Sequence, residues 1–563
     1  MPMNTDFDAI VVGSGISGGW AAKELSEKGL KVLVLERGAP LTHGEDYVGE
    51  HRAPWETPLR GKPLRELYKS DYAVQSTSFA FGENNRPFWN NDRENPYVMD
   101  GESPFLWMRG AVVGGKSLMW SRQVYRWSDM DFGANARDGH GIDWPLRYAD
   151  IAPWYAHVER FIGVSGAAED IPHLPDGEFL PAMDMNAGEK HLKREVEQKF
   201  AGRRVIMGRA AVLTREHNGR GACHYCGPCE RGCSVGAYFS SLSSTLPAAA
   251  KTGRLTLRAN SVVEGLDYDP ATRKVSAVRV IDSTSGERLR FSSRLVFLCA
   301  STVGSTQILL NSRSDSFPEG LANGSGTLGR YLMDHTNGLG AFGLFPNLLM
   351  DRYYSGNRPN NIYIPRFRNL GAGGDAAEFV RGYGFQGAAF RTNWSMNYRM
   401  PGFGAGFKQT LRYPGYWAMF LAGFGECLPQ QRNRMYLHPN KVDRFGIPQV
   451  AFDFAWHDNE KRMCRDIVNE AEAMLRAAGA QIVMRLEEPE PPGGAIHEMG
   501  SARMGRDPAQ SVLNGWNQAH EVENLFVTDG AAMSSTACVN PSLTYMALTA
   551  RACDYAVARL RSA

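Results

Sequence analysis

The sequence predicts an α/β fold in which a doubly wound, parallel-sheet domain is interleaved with a second, α+β domain. Three observations carry that prediction. A strand, a glycine turn, a helix and a second strand open the chain; two later apolar strands run into small residues; and an aromatic, turn-rich stretch with one clear helix lies between those two strands. The 563 residues, 43% hydrophobic and 22% charged, have the balance of a folded globular chain, and this length suits two intertwined domains.

The first strand is Phe7 to Val12 (FDAIVV). Gly13-Ser14-Gly15-Ile16-Ser17-Gly18 follows it, then a helical pattern to Gly29, then KVLVLE ending at Glu36. In this βαβ unit Gly13 permits the tight turn, Gly15 lets backbone approach a pyrophosphate, and Gly18 lets the helix pack on the strand. The helix N-terminus then faces the phosphates. Glu36 follows Gly13 by 23 residues, where an acidic side chain accepts hydrogen bonds from an adenosine ribose. The reading is a Rossmann-like dinucleotide site; mere tight packing is its alternative.

RLVFLCAS (Arg294 to Ser301) and NLFVTDGAAM (Asn524 to Met533) are further strands of the same kind, so the dinucleotide domain is discontinuous. From Gly340 to Leu486 the chain is aromatic and turn-punctuated. Its one clear helix is expected over Asn459 to Ala478, capped by Asp458 and stopped by Gly479. EEPEPPGG (Glu487 to Gly494) is a Pro/Gly break that marks the return to the first domain.

Lys+Arg 62 against Asp+Glu 60 leaves a formal charge of +2, which points away from nucleic acid or an anionic membrane as partner. The opening MPMNTDFDAIVVGSG has neither a basic n-region nor an apolar h-region, so it is not expected to act as a secretory signal. Gly530 to Ala550 is uncharged but broken by Ser, Thr, Asn and Pro, so no direct membrane span is expected.

Two segments near the C-terminus carry the polar residues suited to chemistry: IHEMGSARMG with His497, and STACVNPSLT with Asn540. A histidine with a reference pKa near 6.5 is suited to taking up a proton near neutral pH, and an asparagine amide can hold a hydroxyl without competing for that proton. On the residues alone, a satisfied core histidine and a turn asparagine before Pro541 explain the same letters equally well.

GSGISG, VGGKS within VVGGKSLMWSR (Val112 to Arg122), LGRYLMDH (Leu328 to His335), HEMGS and VTDGAAMSS…NPSLT occur in one order across nearly the whole chain. In that order they resemble the glucose-methanol-choline (GMC) flavoprotein oxidoreductases. The resemblance implies FAD as cofactor, held at its pyrophosphate by Gly13, Gly15 and Gly18 and at its adenosine ribose by Glu36. It implies Gly114, Gly115 and Ser117 beside the isoalloxazine, Asp529 and Gly530 at the ribityl and phosphate region, and His497 and Asn540 as the catalytic pair. Relatives that attach FAD covalently use a His before the Trp of this segment. Met119 stands there, before Trp120, so dissociable FAD is implied. The corresponding division gives residues 1–45, 105–145, 205–335 and 495–563 to the FAD-binding domain, with a cysteine loop at 217–240 within it. Residues 46–104, 146–204 and 336–494 then form the substrate-binding cap.

That loop holds CHYCGPCERGC, which places four of the nine cysteines, Cys223, Cys226, Cys229 and Cys233, within eleven residues. The C-x2-C-x2-C-x3-C spacing matches the ferredoxin run for iron-sulfur binding, although Ser234 replaces the usual Pro. A structural zinc site and two disulfides are the alternatives. Cluster-bearing bacterial sugar dehydrogenases resemble this chain through C-x5-C-x3-C, here Cys223, Cys229 and Cys233, which implies a [3Fe-4S] cluster; Cys226 keeps [4Fe-4S] open. Cys299, Cys427, Cys464, Cys538 and Cys553, among apolar neighbours, read as reduced core thiols.

The resemblance implies an FAD-dependent dehydrogenase acting on a sugar or glycoside hydroxyl, with C3 of a glucoside preferred. It implies electrons leaving through the cluster to a cytochrome c-type partner, and a small signal-bearing subunit that would place the enzyme in the periplasm, with the cytoplasm as alternative. An oxygen-using sugar oxidase with structural cysteines and a non-catalytic electron-transfer subunit are the competing functions. Trp394, Tyr398, Tyr413, Tyr416 and Trp417 are candidates to stack on a sugar face, against the plainer reading of core or interface aromatics.

Overall fold

The computed structural model describes residues 3–61, 65–99, 104–348, 357–371, 377–391, 402–412 and 415–562. One sheet contains β1 (Met3–Val12), β2 (Val32–Leu35), β4 (Leu255–Arg258), β5 (Ser261–Asp269), β6 (Lys274–Asp282), β7 (Arg288–Leu298) and β15 (Leu525–Val527). The order is β4-β2-β1-β7-β6-β5, with β15 also against β7. β1, β2, β4, β7 and β15 pair in parallel and form the dinucleotide-type sheet. All four residues of β2 and Ala9 to Val12 of β1 are buried, as expected for apolar runs covered on both faces. β7 is long enough to serve two partners on one edge. Its first half pairs with antiparallel β6, Phe291 opposite Val278, and its end with parallel β15, Val296 opposite Leu525. β1 lies between β2 and β7, so the strand order reverses at its C-terminal end, where the turn into α1 (Ile16–Glu27) opens a crevice.

β12 (Arg434–Val442) and β13 (Pro448–Asp453) pair as a separate antiparallel ribbon, and the second large sheet is antiparallel throughout. It runs β14 (Gln481–Leu486), β8 (Thr336–Phe345), β11 (Trp417–Gly425), β10 (Tyr383–Arg391), β9 (Ile362–Ile364) and β3 (Ile206–Met207). Helices Ala187–Lys199 and Asp458–Ala477 cover it, burying Leu192, Val196, Ile467 and Ala471 against Phe345, Phe385 and Leu421. The second helix starts one residue earlier than its sequence suggests. His457 takes the cap position, and its backbone N–H donates to Glu460 at 3.0 Å, so Asp458 becomes the first helical residue. Gly479, at φ +86°, stops the helix as expected. Trp417 is fully buried in this second core and is not a sugar platform; Tyr416 is half-exposed, and Trp394, Tyr398 and Tyr413 lie outside the described residues.

The two cores do not divide at the residues the sequence suggests. Tyr47, Phe88 and Trp89 from the 46–104 stretch, and Ile151, Tyr155 and Val158 from the helix Tyr148–Ile162, bury their apolar faces in the first core. The longest passage to the second sheet leaves and returns where Met333 and Met499 exchange backbone hydrogen bonds of 2.8 and 2.9 Å; within it Met435 and Val450 pack back into the first core, and β3 and the helix Ala187–Lys199 reach the second sheet from another part of the chain. Among the described residues no helix is long and apolar enough to cross a membrane.

Candidate active site

At the end of β1 the glycines divide into packed and open positions. A Cβ on Gly13, at φ +97°, would meet Cys299 O at 2.5 Å, and one on Gly18 would meet Gly13 O at 1.9 Å. A Cβ on Gly15 would meet nothing within 4 Å, and on Gly115 only Gly15 Cα at 3.7 Å. The N-terminus of α1, uncapped by any side chain, therefore opens onto a gap bounded by the Gly114-Gly115 turn. Unpaired helix N–H groups facing a space with no side chain fit a pyrophosphate, and the residues present thus fit FAD at this end.

Buried serines hold the gap in shape. Ser14 Oγ donates to Glu36 Oε2 at 2.5 Å and accepts from Gly114 N at 2.9 Å, while Ser241 Oγ donates to Ser14 O at 2.7 Å. Ser117 Oγ donates to Gly114 O at 2.6 Å and accepts from Ser241 N at 3.1 Å. Glu36 also accepts from Ser14 N at 2.9 Å and Gly38 N at 2.7 Å. A carboxylate offers about four acceptor positions, so Glu36 braces the turn and still has room for a ribose hydroxyl.

Facing this cradle, Asp529 accepts from Ser305 Oγ at 2.5 Å and from Ala531 N at 3.0 Å, and burial pushes its carboxyl up to about 6. A Cβ on Gly530 would run into Glu498 O at 2.3 Å. The Glu498 carboxylate pairs with Lys116 Nζ at 3.0 Å.

The expected catalytic pair meets in space. Asn540 Nδ2 donates to His497 Nε2 at 3.3 Å, and Asn540 Oδ1 accepts from Gln386 Nε2 at 2.9 Å, which fixes the amide's orientation. His497 Nδ1 lies 2.8 Å from Nδ1 of His335, whose Nε2 bonds to Ala537 O. The buried Asp334 carboxylate accepts the backbone N–H groups of His497 at 3.0 Å and Gly493 at 2.8 Å, which pins the His497 backbone. Burial, then His335 and Lys116, hold the His497 imidazole well below its usual range, so it is neutral at pH 7. Burial and the nearby Glu498 carboxylate push Asp334 up to about 7. His335, Asp334, Gln386 and the Lys116–Glu498 pair were not singled out from sequence. His335 and Asp334 close the LGRYLMDH segment, and the only available signal was that segment's place in the motif order.

The cysteine loop is arranged differently from the ligand set its spacing suggests. Cys223, Cys229 and Cys233 turn inward against Met183, Met207 and Tyr238, while Cys226 is exposed. All nine cysteines carry free thiols. Burial raises the Cys229 thiol to about 12 and moves Cys223 and Cys233 in the same direction. Among the described residues no three His, Cys, Asp or Glu side chains are grouped to hold a metal ion. In this arrangement the loop does not fit a cluster or a zinc ion.

Comparison with known proteins places this geometry. Residues 7–337 and 429–549 match the N- and C-terminal parts of the GMC oxidoreductase family. A 2-methyl-1,2-propanediol dehydrogenase of Mycolicibacterium austroafricanum is similar at 28% identity, over 97% of this chain and 94% of that protein. The fructose dehydrogenase large subunit of Gluconobacter japonicus is similar at 25%, over 97% of each. A solved structure, pyridoxine 4-oxidase from Mesorbium loti, shares the fold at TM-score 0.59 and 16% identity, covering 97% of this chain and 98% of that one. Two family matches that together cover most of the chain, over a cradle shaped for a dinucleotide, establish that the chain belongs to the GMC oxidoreductases, FAD-binding enzymes that act on CH–OH groups.

Proposed function

We propose that this protein is an FAD-dependent dehydrogenase that oxidises a hydroxyl of a sugar or glycoside, with C3 of a glucoside as the preferred position. The observation that carries the reading is the neutral His497 imidazole with its Nε2 beside the Asn540 amide. FAD, when bound, supplies the hydride acceptor. His497 Nε2 takes the hydroxyl proton, and Asn540, held by Gln386, keeps the hydroxyl oxygen in line. Gly13, Gly15 and Gly18 would hold the pyrophosphate, Glu36 the ribose, Gly114, Gly115 and Ser117 the ring system, and Asp529 and Gly530 the ribityl end. The sugar class is supported by the fructose dehydrogenase relative, and the dehydrogenase reading by the names of both similar enzymes.

An anaerobic absorption spectrum of the purified protein with a panel of sugars and glucosides tests this: one or more should bleach the flavin. Flavin unchanged under every sugar would favour an electron-transfer subunit, and stoichiometric peroxide in air would favour an oxidase. Asn540→Ala should retain FAD and slow the bleaching by up to about 10²-fold, the cost of a misplaced reactant. Loss of flavin from that variant would make Asn540 structural. Because Met119 occupies the position of covalent attachment, acid precipitation should release all flavin into the supernatant; yellow pellets would overturn that expectation.

The finer parts of the reading concern electron exit. Delivery to a cytochrome-type partner, with a small subunit carrying an export signal to the periplasm, is supported by a relative that is itself named a large subunit. Fractionation with natural partners co-expressed tests it, and folded protein found only in the cytoplasm counts against it. An iron-sulfur cluster on Cys223, Cys229 and Cys233 is supported by the spacing and by Cys226 alone facing outward, and opposed by the missing ligand set. Iron and acid-labile sulfide in purified protein decide it; zinc without iron overturns it.

A further inference from the structure

We propose that His335 is a positioning residue that locks His497 in the Nδ1–H tautomer and so leaves His497 Nε2 as the proton acceptor; this rests on the reading of His497 as the base. A backbone carbonyl can only accept, so the contact between His335 Nε2 and Ala537 O requires the hydrogen on that nitrogen. A neutral imidazole with Nε2–H has a lone pair on Nδ1, so the 2.8 Å contact between the two Nδ1 atoms requires His497 to donate. His497 then presents an unprotonated Nε2, the form that accepts from the Asn540 amide at 3.3 Å. The opposite polarity would set the His335 Nε2 lone pair against the Ala537 oxygen and the His497 Nε2–H against the Asn540 N–H.

Burial agrees with this assignment. His335 is 1% exposed, and burial brings it down to about 4, so it remains neutral and able to accept. The two rings stand nearly perpendicular, at 87°, with centroids 5.0 Å apart. Lys116 acts on His497 directly, Asp334 bonds the His497 backbone, and Glu498 neighbours both of these groups; Asp334 is occupied by backbone N–H groups and Lys116 by Glu498, so neither offers His497 Nδ1 another partner. When substrate is oxidised, its hydroxyl proton ends on His497 Nε2 and no proton passes to His335. The 2.8 Å contact between the two Nδ1 atoms keeps its polarity through the step, with His497 Nδ1 still the donor.

The test uses the FAD-loaded enzyme and two substitutions with opposite expectations. Glutamine keeps the polarity of His335, an oxygen to accept and an N–H to donate, so His335→Gln should retain most of the rate. His335→Leu removes the acceptor and should slow anaerobic flavin reduction by roughly 10- to 10³-fold. A readout that needs no sugar accompanies it: ¹⁵N spectra of histidine-labelled protein, assigned with His497→Gln, should show His497 Nε2 unprotonated at pH 7 in the wild type and in His335→Gln. In His335→Leu the signal should shift toward a protonated Nε2. A wild-type His497 with hydrogen on Nε2 overturns the proposal, even if His335→Leu fails to fold. So does a His335→Leu enzyme that reduces its flavin at the wild-type rate. If instead His497→Ala leaves reduction unchanged, the base assignment itself falls.

Discussion

His497→Ala keeps its FAD and slows anaerobic flavin reduction by sugar roughly 10²- to 10⁴-fold, the range a positioned base contributes. The cofactor should stay because the pyrophosphate cradle is built at the far end of the site from Gly13, Gly15, Gly18 and the serine network, none of which bonds to the imidazole. The rate should fall because the neutral ring, with its Nε2 beside the Asn540 amide, is the proposed acceptor of the hydroxyl proton. The pH dependence follows from the sign of the shift. Only unprotonated His497 can accept a proton, and its pKa lies well below 6.5, so the wild-type reduction rate should stay level as pH falls from 8 through 6.5. A titration centred at 6.5, or near wild-type reduction by the variant, would remove His497 from its role.

Gly18→Ala should purify largely without flavin and with a lowered melting temperature. Its methyl would lie 1.9 Å from Gly13 O and 2.7 Å from Gly13 C, atoms of the backbone turn itself, so relief requires α1 to separate from the end of β1. Overpacking of that kind costs about 3 kcal/mol or more, and what moves is the cofactor cradle. Gly15→Ala is the control, since its methyl meets no protein atom. That variant should melt like the wild type yet hold FAD more weakly, because the added carbon stands where the pyrophosphate would approach. Flavin-to-protein absorbance ratios and melting curves distinguish the two. Full flavin occupancy in Gly18→Ala, or an unfolded Gly15→Ala, would contradict the division into packed and open glycines.

The cradle was legible because its determinants are local: Gly13, Gly15 and Gly18 lie in one turn, and Glu36 is one βαβ unit away. His497 and Asn540 were legible only through the order of motifs, since neither residue differs locally from a core histidine or a turn asparagine. The rest of the site escaped because it is assembled over long sequence distances. Lys116 finds Glu498 across 382 residues, Ser241 finds Ser14 across 227, and His335 finds His497 across 162. In the sequence a buried serine looks like a helix cap, and Asp334-His335 looks like a polar loop. The cysteine loop shows the converse: spacing announces a ligand set, but the direction each thiol points depends on packing against Tyr238 and its neighbours, which spacing does not encode.

The paired Met333 and Met499 backbones stake together the two ends of the passage between them. Its two ends also deliver Asp334, His335 and His497, so the proton-handling groups sit on the stake and not on the passage beyond it. A change of length far beyond that stake therefore need not move Asp334, His335 or His497, whereas Gln386, which holds the Asn540 amide, lies on the passage itself. Just inside that point Glu490 N bonds to Asn337 O at 2.9 Å and holds the outgoing and returning chains in register, so a change in either strand there is felt at the histidine pair.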